Sequence, residues 1–258
     1  MAEPLIQLAG VTKTYAALDG LVAALEAVTL DVAAGEFVSI LGPSGCGKST
    51  LLLIIAGLLP ASTGEVRLAG RPVTRPQTDI GIVFQNPVLL DWRTVIRNVL
   101  LQVESRSLDV ATYRPKARAL LHSVGLAGFE DKYPFELSGG MRQRTAICRA
   151  LIHDPPLLLM DEPFGALDAL TREQMRLDIE RLWLETRKTV LFITHSIVEA
   201  VLLSDRVVVM SPRPGRVDGV FRIELPRPRH LAVQESAEFG RYLKAITDLF
   251  LARGVLRY

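Results

Sequence analysis

The sequence predicts an α/β chain: a mixed sheet with central strands buried on both faces, an antiparallel β portion at the N-terminal end, and an α-helical subdomain inserted into the sheet. Three observations carry this. Short apolar runs at 80–84, 157–160, 190–193 and 207–210 alternate with helical patterns, as in parallel sheets covered by helices on both sides. The opening third instead alternates apolar and polar residues, with Val28, Leu30 and Val32 on one face and Thr29 and Asp31 on the other. The stretch from about 87 to 154 is rich in helix formers and offers no strand-like run.

Val66 and Leu68 repeat the early alternation between Glu65 and Arg67, so both segments read as half-buried antiparallel strands. Between them the run 37–41 enters a glycine-rich turn and then a helix-compatible stretch from 48 to 58. Within the helical insertion the best patterns are 113–124 and 141–152. Met175, Ile179, Leu182 and Trp183 recur at helical spacing as a core-facing stripe. The sequence SerProArgProGlyArg from Ser211 marks a turn. The C-terminal extension, about 211–258, ends in a helix over 238–252 and is too short for an independent regulatory domain. With no internal repeat visible, 1–258 reads as one domain.

Of the 258 residues, 49% are apolar and 22% charged, enough for one substantial core. A formal net charge of +2 gives no polyanion-coating surface, so nucleic acid is not an expected partner. The longest apolar stretch, 51–59, stops at Pro60, short of the roughly 18 to 20 residues that cross a bilayer. The N-terminal residues lack a basic region ahead of an apolar one, so a cytoplasmic location is expected. Cys46 and Cys148 lie in no Cys/His cluster and are expected to be ordinary thiols.

Gly42, Pro43, Ser44, Gly45, Cys46, Gly47, Lys48 and Ser49 match GxxxxGK[ST], placed after a strand and before a helix as the motif requires. Glycines at 42, 45 and 47 let successive backbone N–H groups turn inward around phosphate oxygens, and the helix N-terminus adds its partial positive charge. Lys48 balances β/γ-phosphate charge, Ser49 offers a hydroxyl to Mg²⁺, and Thr50 can cap the helix or bond a phosphate. The plain alternative is a glycine-rich turn with a solvated lysine. A second element, 157–162, delivers Asp161 and Glu162 at the C-terminal end of a buried strand. Asp161 suits Mg²⁺, directly or through water, and Glu162 suits polarising an attacking water. Alone, such a pair is a solvated turn; the preceding phosphate loop changes its meaning.

With these residues identified, the chain resembles the ATP-binding cassette subunit of ABC transporters over nearly its whole length, which implies a P-loop NTPase core. The decisive run is LeuSerGlyGlyMetArgGln, 137–143, similar to the ABC signature, with Met141 where many relatives carry Gln. Ser138, Gly139 and Gly140 precede a helix expected to start near Met141, so hydroxyl, amides and dipole can grip an anion; helix capping is the simpler alternative. The resemblance implies that two copies face head to tail and trap two ATP molecules between the loop of one and the signature of the other. It further implies that Tyr15 stacks on adenine, Gln85 reaches Mg²⁺ and water, Asp168 is the D-loop carboxylate and His195 the switch histidine. Each is weak alone; otherwise they would be a strand residue, a turn residue, a helix cap and a strand-end histidine. Lys48, Mg²⁺ and His195 would then stabilise the γ-phosphate while Glu162 orients water for in-line attack.

The runs TyrProPheGluLeuSerGlyGlyMet, AspGluProPheGlyAlaLeuAsp and LeuSerAspArgValValValMetSerProArgProGlyArg resemble the nitrate/sulfonate/taurine importer subfamily. That resemblance implies import of such a small solute, integral-membrane permease subunits, an external solute-binding protein, and a peripheral position on the cytoplasmic face of the inner membrane. LeuLeuAspTrp, 89–92, offers apolar groups on an expected exposed loop where the family receives a permease helix; local packing is the alternative. Two positions depart from the pattern: Ser196 after His195, where relatives often have Asp and where the switch region could loosen, and Asp91 before Trp92, where Pro is frequent. A soluble ABC ATPase acting on a protein or nucleic-acid complex, without a membrane partner, is the alternative function. A P-loop kinase would share the loop and Asp161 but has no use for the signature at Ser138.

Overall fold

Alternating burial and glycine-terminated turns set the elements in this computed structural model, which describes residues 3–18 and 20–256. In chain order, β1 (Ile6–Ala17) and β2 (Gly20–Val32) are followed by β3 (Phe37–Leu41), α1 (Lys48–Ile55), β4 (Thr63–Leu68) and β5 (Arg71–Pro72). Next come β6 (Ile80–Val83), α2 (Val95–Val99), α3 (Leu101–Ser105), α4 (Val110–Ser123), α5 (Gly139–Leu151), β7 (Leu157–Asp161) and α6 (Ala169–Thr186). β8 (Thr189–Thr194), α7 (Ile197–Leu203), β9 (Arg206–Met210), β10 (Val217–Arg222) and α8 (Ala237–Ala252) complete the chain. Contacts divide it into two compact units, one of residues to Thr78 and from Trp183 onward, the other Asp79–Leu182.

The first unit holds two sheets. β2, β1, β4 and β5 pair antiparallel, with Ile6 opposite Val32 and Leu8 opposite Leu30, so the predicted apolar face is the buried one. β9, β3 and β8 run parallel, and β10 adds an antiparallel edge, giving the expected mixed sheet. Every residue of β3 and β8 is buried, the signature of strands covered on both faces. β10, ValAspGlyValPheArg, was not foreseen: as an edge strand with Asp and Gly it lacks a continuous apolar run. Against this sheet, α7 and α8 share one cluster that includes Ala200, Val201, Leu202, Phe239, Ile246 and Phe250.

α1 ends at Ile55, before the predicted 58, because Gly57 turns left-handed at φ 71°. The N–H groups of Leu58 and Leu59 then return to the Leu53 carbonyl, closing the helix end. A Cβ at 57 would lie 2.1 Å from the Arg75 carbonyl oxygen, so glycine is required there.

In the second unit β6 and β7 are parallel, Ile80 opposite Leu157. Gly81 lets α5 approach closely, since a Cβ there would sit 2.6 Å from the Ala150 oxygen. α2 and α3 are each too short for their periodicity to be read from sequence. The predicted stripe Met175, Ile179, Leu182 and Trp183 is buried throughout. Trp183 belongs to the first unit, where the guanidinium groups of Arg187 and Arg227 lie 4.6 and 4.2 Å from its ring centroid, so it is a packing residue. Both cysteines are buried, and burial pushes the Cys148 thiol up to about 12.

Candidate nucleotide site

The loop 42–49 leaves the buried strand β3, whose last residue Leu41 is in register with Thr194 of β8 and Val209 of β9. Gly42 and His195 therefore leave adjacent parallel strands at their C-terminal ends, the ligand-binding end of such sheets. Gly45 and Gly47 have φ of 75° and 102°. At Gly47 a Cβ would lie 2.7 Å from both the Ala24 oxygen and Leu25 Cδ2, so the loop is curled tightly onto β2. Gly215 completes the support: its N–H donates to the Ala24 carbonyl at 2.9 Å, and a Cβ there would sit 2.0 Å from the Cys46 oxygen. Sequence reading saw only a turn in SerProArgProGlyArg; the glycine in that turn was the available signal.

Lys48 is 4% exposed and folds back so that Nζ donates to the carbonyls of Gly42 (2.9 Å) and Pro43 (3.0 Å). The N-terminus of α1 has no side-chain cap and no acidic residue in its first turn. By contrast, α5, α7 and α8 are capped by Ser138, Ser196 and Ser236. An uncapped, glycine-curled helix start beside a buried lysine fits a polyphosphate. Ser49 is exposed at this start, and the Thr50 hydroxyl lies 3.2 Å from that of Tyr15, which joins β1 to α1. The Tyr15 ring is 38% exposed and Lys13 Nζ stands 5.3 Å from its centroid.

In the second unit β7 ends at Asp161, with Asp161 and Glu162 half-buried. Glu162 has φ 43°, a left-handed conformation that a non-glycine residue adopts at a cost. Gln85 is exposed, and its amide neighbours Gly165, where a Cβ would lie 3.3 Å from Gln85 Nε2. Asp168 accepts the Thr171 N–H at 3.0 Å, capping α6. Its bonds to Thr171, hydroxyl first and then amide, hold the carboxyl below the usual carboxylate range. Ser138 caps α5 through the Met141 N–H at 3.3 Å. The helix begins at Gly139, earlier than expected, because Ser138 itself is the cap and both glycines fall in the first turn. Gly140 lets that turn meet α6: a Cβ would lie 2.5 Å from Thr171 Cγ2.

Ser196 accepts the Glu199 N–H at 3.3 Å and so caps α7 directly after His195. The loop after Gln85 is held from within by two buried side chains that sequence reading missed. Asn98 accepts from the Leu90 N–H at 2.8 Å and donates to the carbonyls of Leu90, Arg93 and Thr94. Arg149 donates to those of Pro87 and Val88, both at 2.7 Å. Trp92 remains 75% exposed on this loop, and Leu89 and Leu90 are half-buried. Among the described residues no three His, Cys, Asp or Glu side chains gather around a metal position. Taken unit by unit, the Ser49 hydroxyl in the first and the Gln85 amide and Asp161 carboxylate in the second are oxygen donors of the kind a hard cation takes.

The family model described as ABC transporter matches residues 25–165, more than half of the chain. This chain belongs to the ABC transporter family. The cassette is 46% identical over 244 residues to an uncharacterised ABC transporter ATP-binding protein of Methanocaldococcus jannaschii, covering 95% of this chain and 90% of the relative. It is 52% identical over 204 residues to the taurine import ATP-binding protein TauB of Rhizobium johnstonii, covering 79% and 78%. Among solved structures it is similar to a dimeric ATP-binding cassette in a post-hydrolysis state bound to ADP and Pi, at 35% identity and TM-score 0.76, covering 86% of this chain and 100% of that one. The cassette is thus an ATP-binding ATPase of this family with the predicted α/β fold. No helix among the described residues is long and apolar enough to cross a membrane.

Proposed function

We propose that this chain is the ATP-hydrolysing subunit of an importer for a small solute of the taurine, sulfonate or nitrate class, working through separate integral-membrane permease subunits and an external solute-binding protein. The observation that carries the reading is the register pairing Leu41 with Thr194, which sets the phosphate loop beside His195. The 46–52% identity to TauB proteins supports the solute class. Two copies act as a homodimer with ATP held between the loop of one and Ser138, Gly139 and Gly140 of the other. The chain works as a single domain, peripheral on the cytoplasmic face of the membrane.

In this reading the amides of residues 43–50 bind the phosphates, and Lys48 exchanges the carbonyls of Gly42 and Pro43 for phosphate oxygens. Tyr15 stacks on the adenine, and its bond to Thr50 ties base recognition to the phosphate loop. Ser49, Asp161 and Gln85 would hold Mg²⁺, which when bound neutralises charge on the β- and γ-phosphate oxygens. Glu162 orients the attacking water for in-line attack, His195 stabilises the γ-phosphate, and Asp168 is the D-loop carboxylate. Exposed Trp92 docks the permease.

Glu162→Gln tests the catalytic assignment: it is expected to bind ATP, lower turnover by about 10²-fold or more, and accumulate as an ATP-dependent dimer in light scattering. Near-normal turnover removes Glu162 from the role. Lys48→Ala is expected to lose nucleotide binding or turnover, and unchanged activity defeats the phosphate-loop reading.

A further inference from the structure

We infer that Thr194 and Glu199 are positioning residues for His195, acting by fixing the backbone from which the imidazole projects; this rests on the role proposed above for His195. Thr194 ends β8, is 2% exposed, and stands in register with Leu41, the residue before the phosphate loop. Its hydroxyl donates to Glu199 Oε2 at 2.5 Å and accepts the Ser196 N–H at 3.0 Å. The Ser196 hydroxyl accepts the Glu199 N–H at 3.3 Å. These bonds close a ring from the residue before His195 to the first turn of α7. His195 is the exposed residue spanned by that ring, so the residues on both its sides are held.

Helix capping alone does not account for the arrangement. Ser196 already caps α7, and an acidic residue in a first turn gains its favourable interaction with the helix dipole while solvated. Glu199 is instead only 9% exposed, and a carboxylate is costly to bury unless its oxygens are bonded. The Thr194 hydroxyl supplies such a bond and at the same time orients the peptide after His195. A histidine that must meet the γ-phosphate only in the closed state gains from a backbone that does not have to be ordered at that moment.

The experiment measures Mg-ATP turnover and ATP affinity of the full chain as His195→Ala, Thr194→Val, Thr194→Ser and Glu199→Ala. Thr194→Val keeps the shape and removes the hydroxyl; it is expected to lower kcat about tenfold or more with ATP affinity and KM within about twofold of the unsubstituted chain. Thr194→Ser restores the hydroxyl and is expected to stay within about threefold. The His195 ring signal in NMR, assigned by its loss in His195→Ala, is expected to shift in Thr194→Val and to return in Thr194→Ser. If Thr194→Val does not fold, Glu199→Ala carries the test with the same expected loss in kcat. A Thr194→Val or Glu199→Ala chain with unchanged kcat, while His195→Ala loses activity, overturns the inference. Full activity of His195→Ala instead overturns the role of His195 itself.

Discussion

Gly47 sits where backbone conformation, close packing and ligand geometry meet. It has φ 102°, precedes α1 as its N-cap, and has no room for a Cβ against Ala24 and Leu25. Gly47→Ala must therefore strain the backbone and push the loop away from β2, misaligning the amides proposed above to bind phosphate. The expected outcome is a loss of ATP affinity of about tenfold or more by calorimetry, a cost of at least about 1.4 kcal/mol. Gly45, with open space around it, needs glycine only for its positive φ of 75°. Lys48 shows the complementary economy: its charge is buried but bonded to the carbonyls of its own loop.

At the scale of elements, α7 matters because it follows His195 directly and is fastened at both ends. Its first turn is tied by Ser196, and its C-terminal end by Arg229, which is 1% exposed and donates to the carbonyls of Val201, Leu202, Ser204, Ile223 and Leu225. Arg227 adds bonds to Asp205 and the Leu203 carbonyl while stacking on Trp183. Arg229→Met leaves those buried carbonyls without their donor and is expected to lower stability by about 3 kcal/mol, read as a lower urea midpoint. An unchanged midpoint would show that the carbonyls find other donors. The C-terminal extension thus serves as the covering layer of α7, with Phe239, Ile246 and Phe250 packed on it.

For the whole molecule, function depends on surfaces that meet other chains. The loop pinned by Asn98 and Arg149 presents Trp92, and the ring of Phe135, stacked on Tyr133 with centroids 5.6 Å apart, is 74% exposed in the same unit. Large apolar groups held in the open by buried polar anchors are the composition of a docking surface. Trp92→Ala is expected to weaken co-purification with the membrane subunits while ATP affinity stays within about twofold. Equal weakening of nucleotide binding would make Trp92 a packing residue instead.

The sequence by itself determined the strand–loop–helix order from 37 onward, though not the end of that helix, together with the buried parallel strands, the helical character of 113–124 and 141–152, and the order of the motifs. It could do so because each depends on local facts: a periodicity of two or 3.6, a glycine needing positive φ, a serine beside a helix start. Tertiary structure decided which residues meet. Gly215 supports Cys46, Asn98 and Arg149 hold the Trp92 loop, and Thr194 reaches Glu199 across His195 through bonds that depend on packing. β10 and the early stop of α1 were hidden for the same reason. An edge strand is formed by the partner it pairs with, and Gly57 ends α1 where the Arg75 backbone comes close.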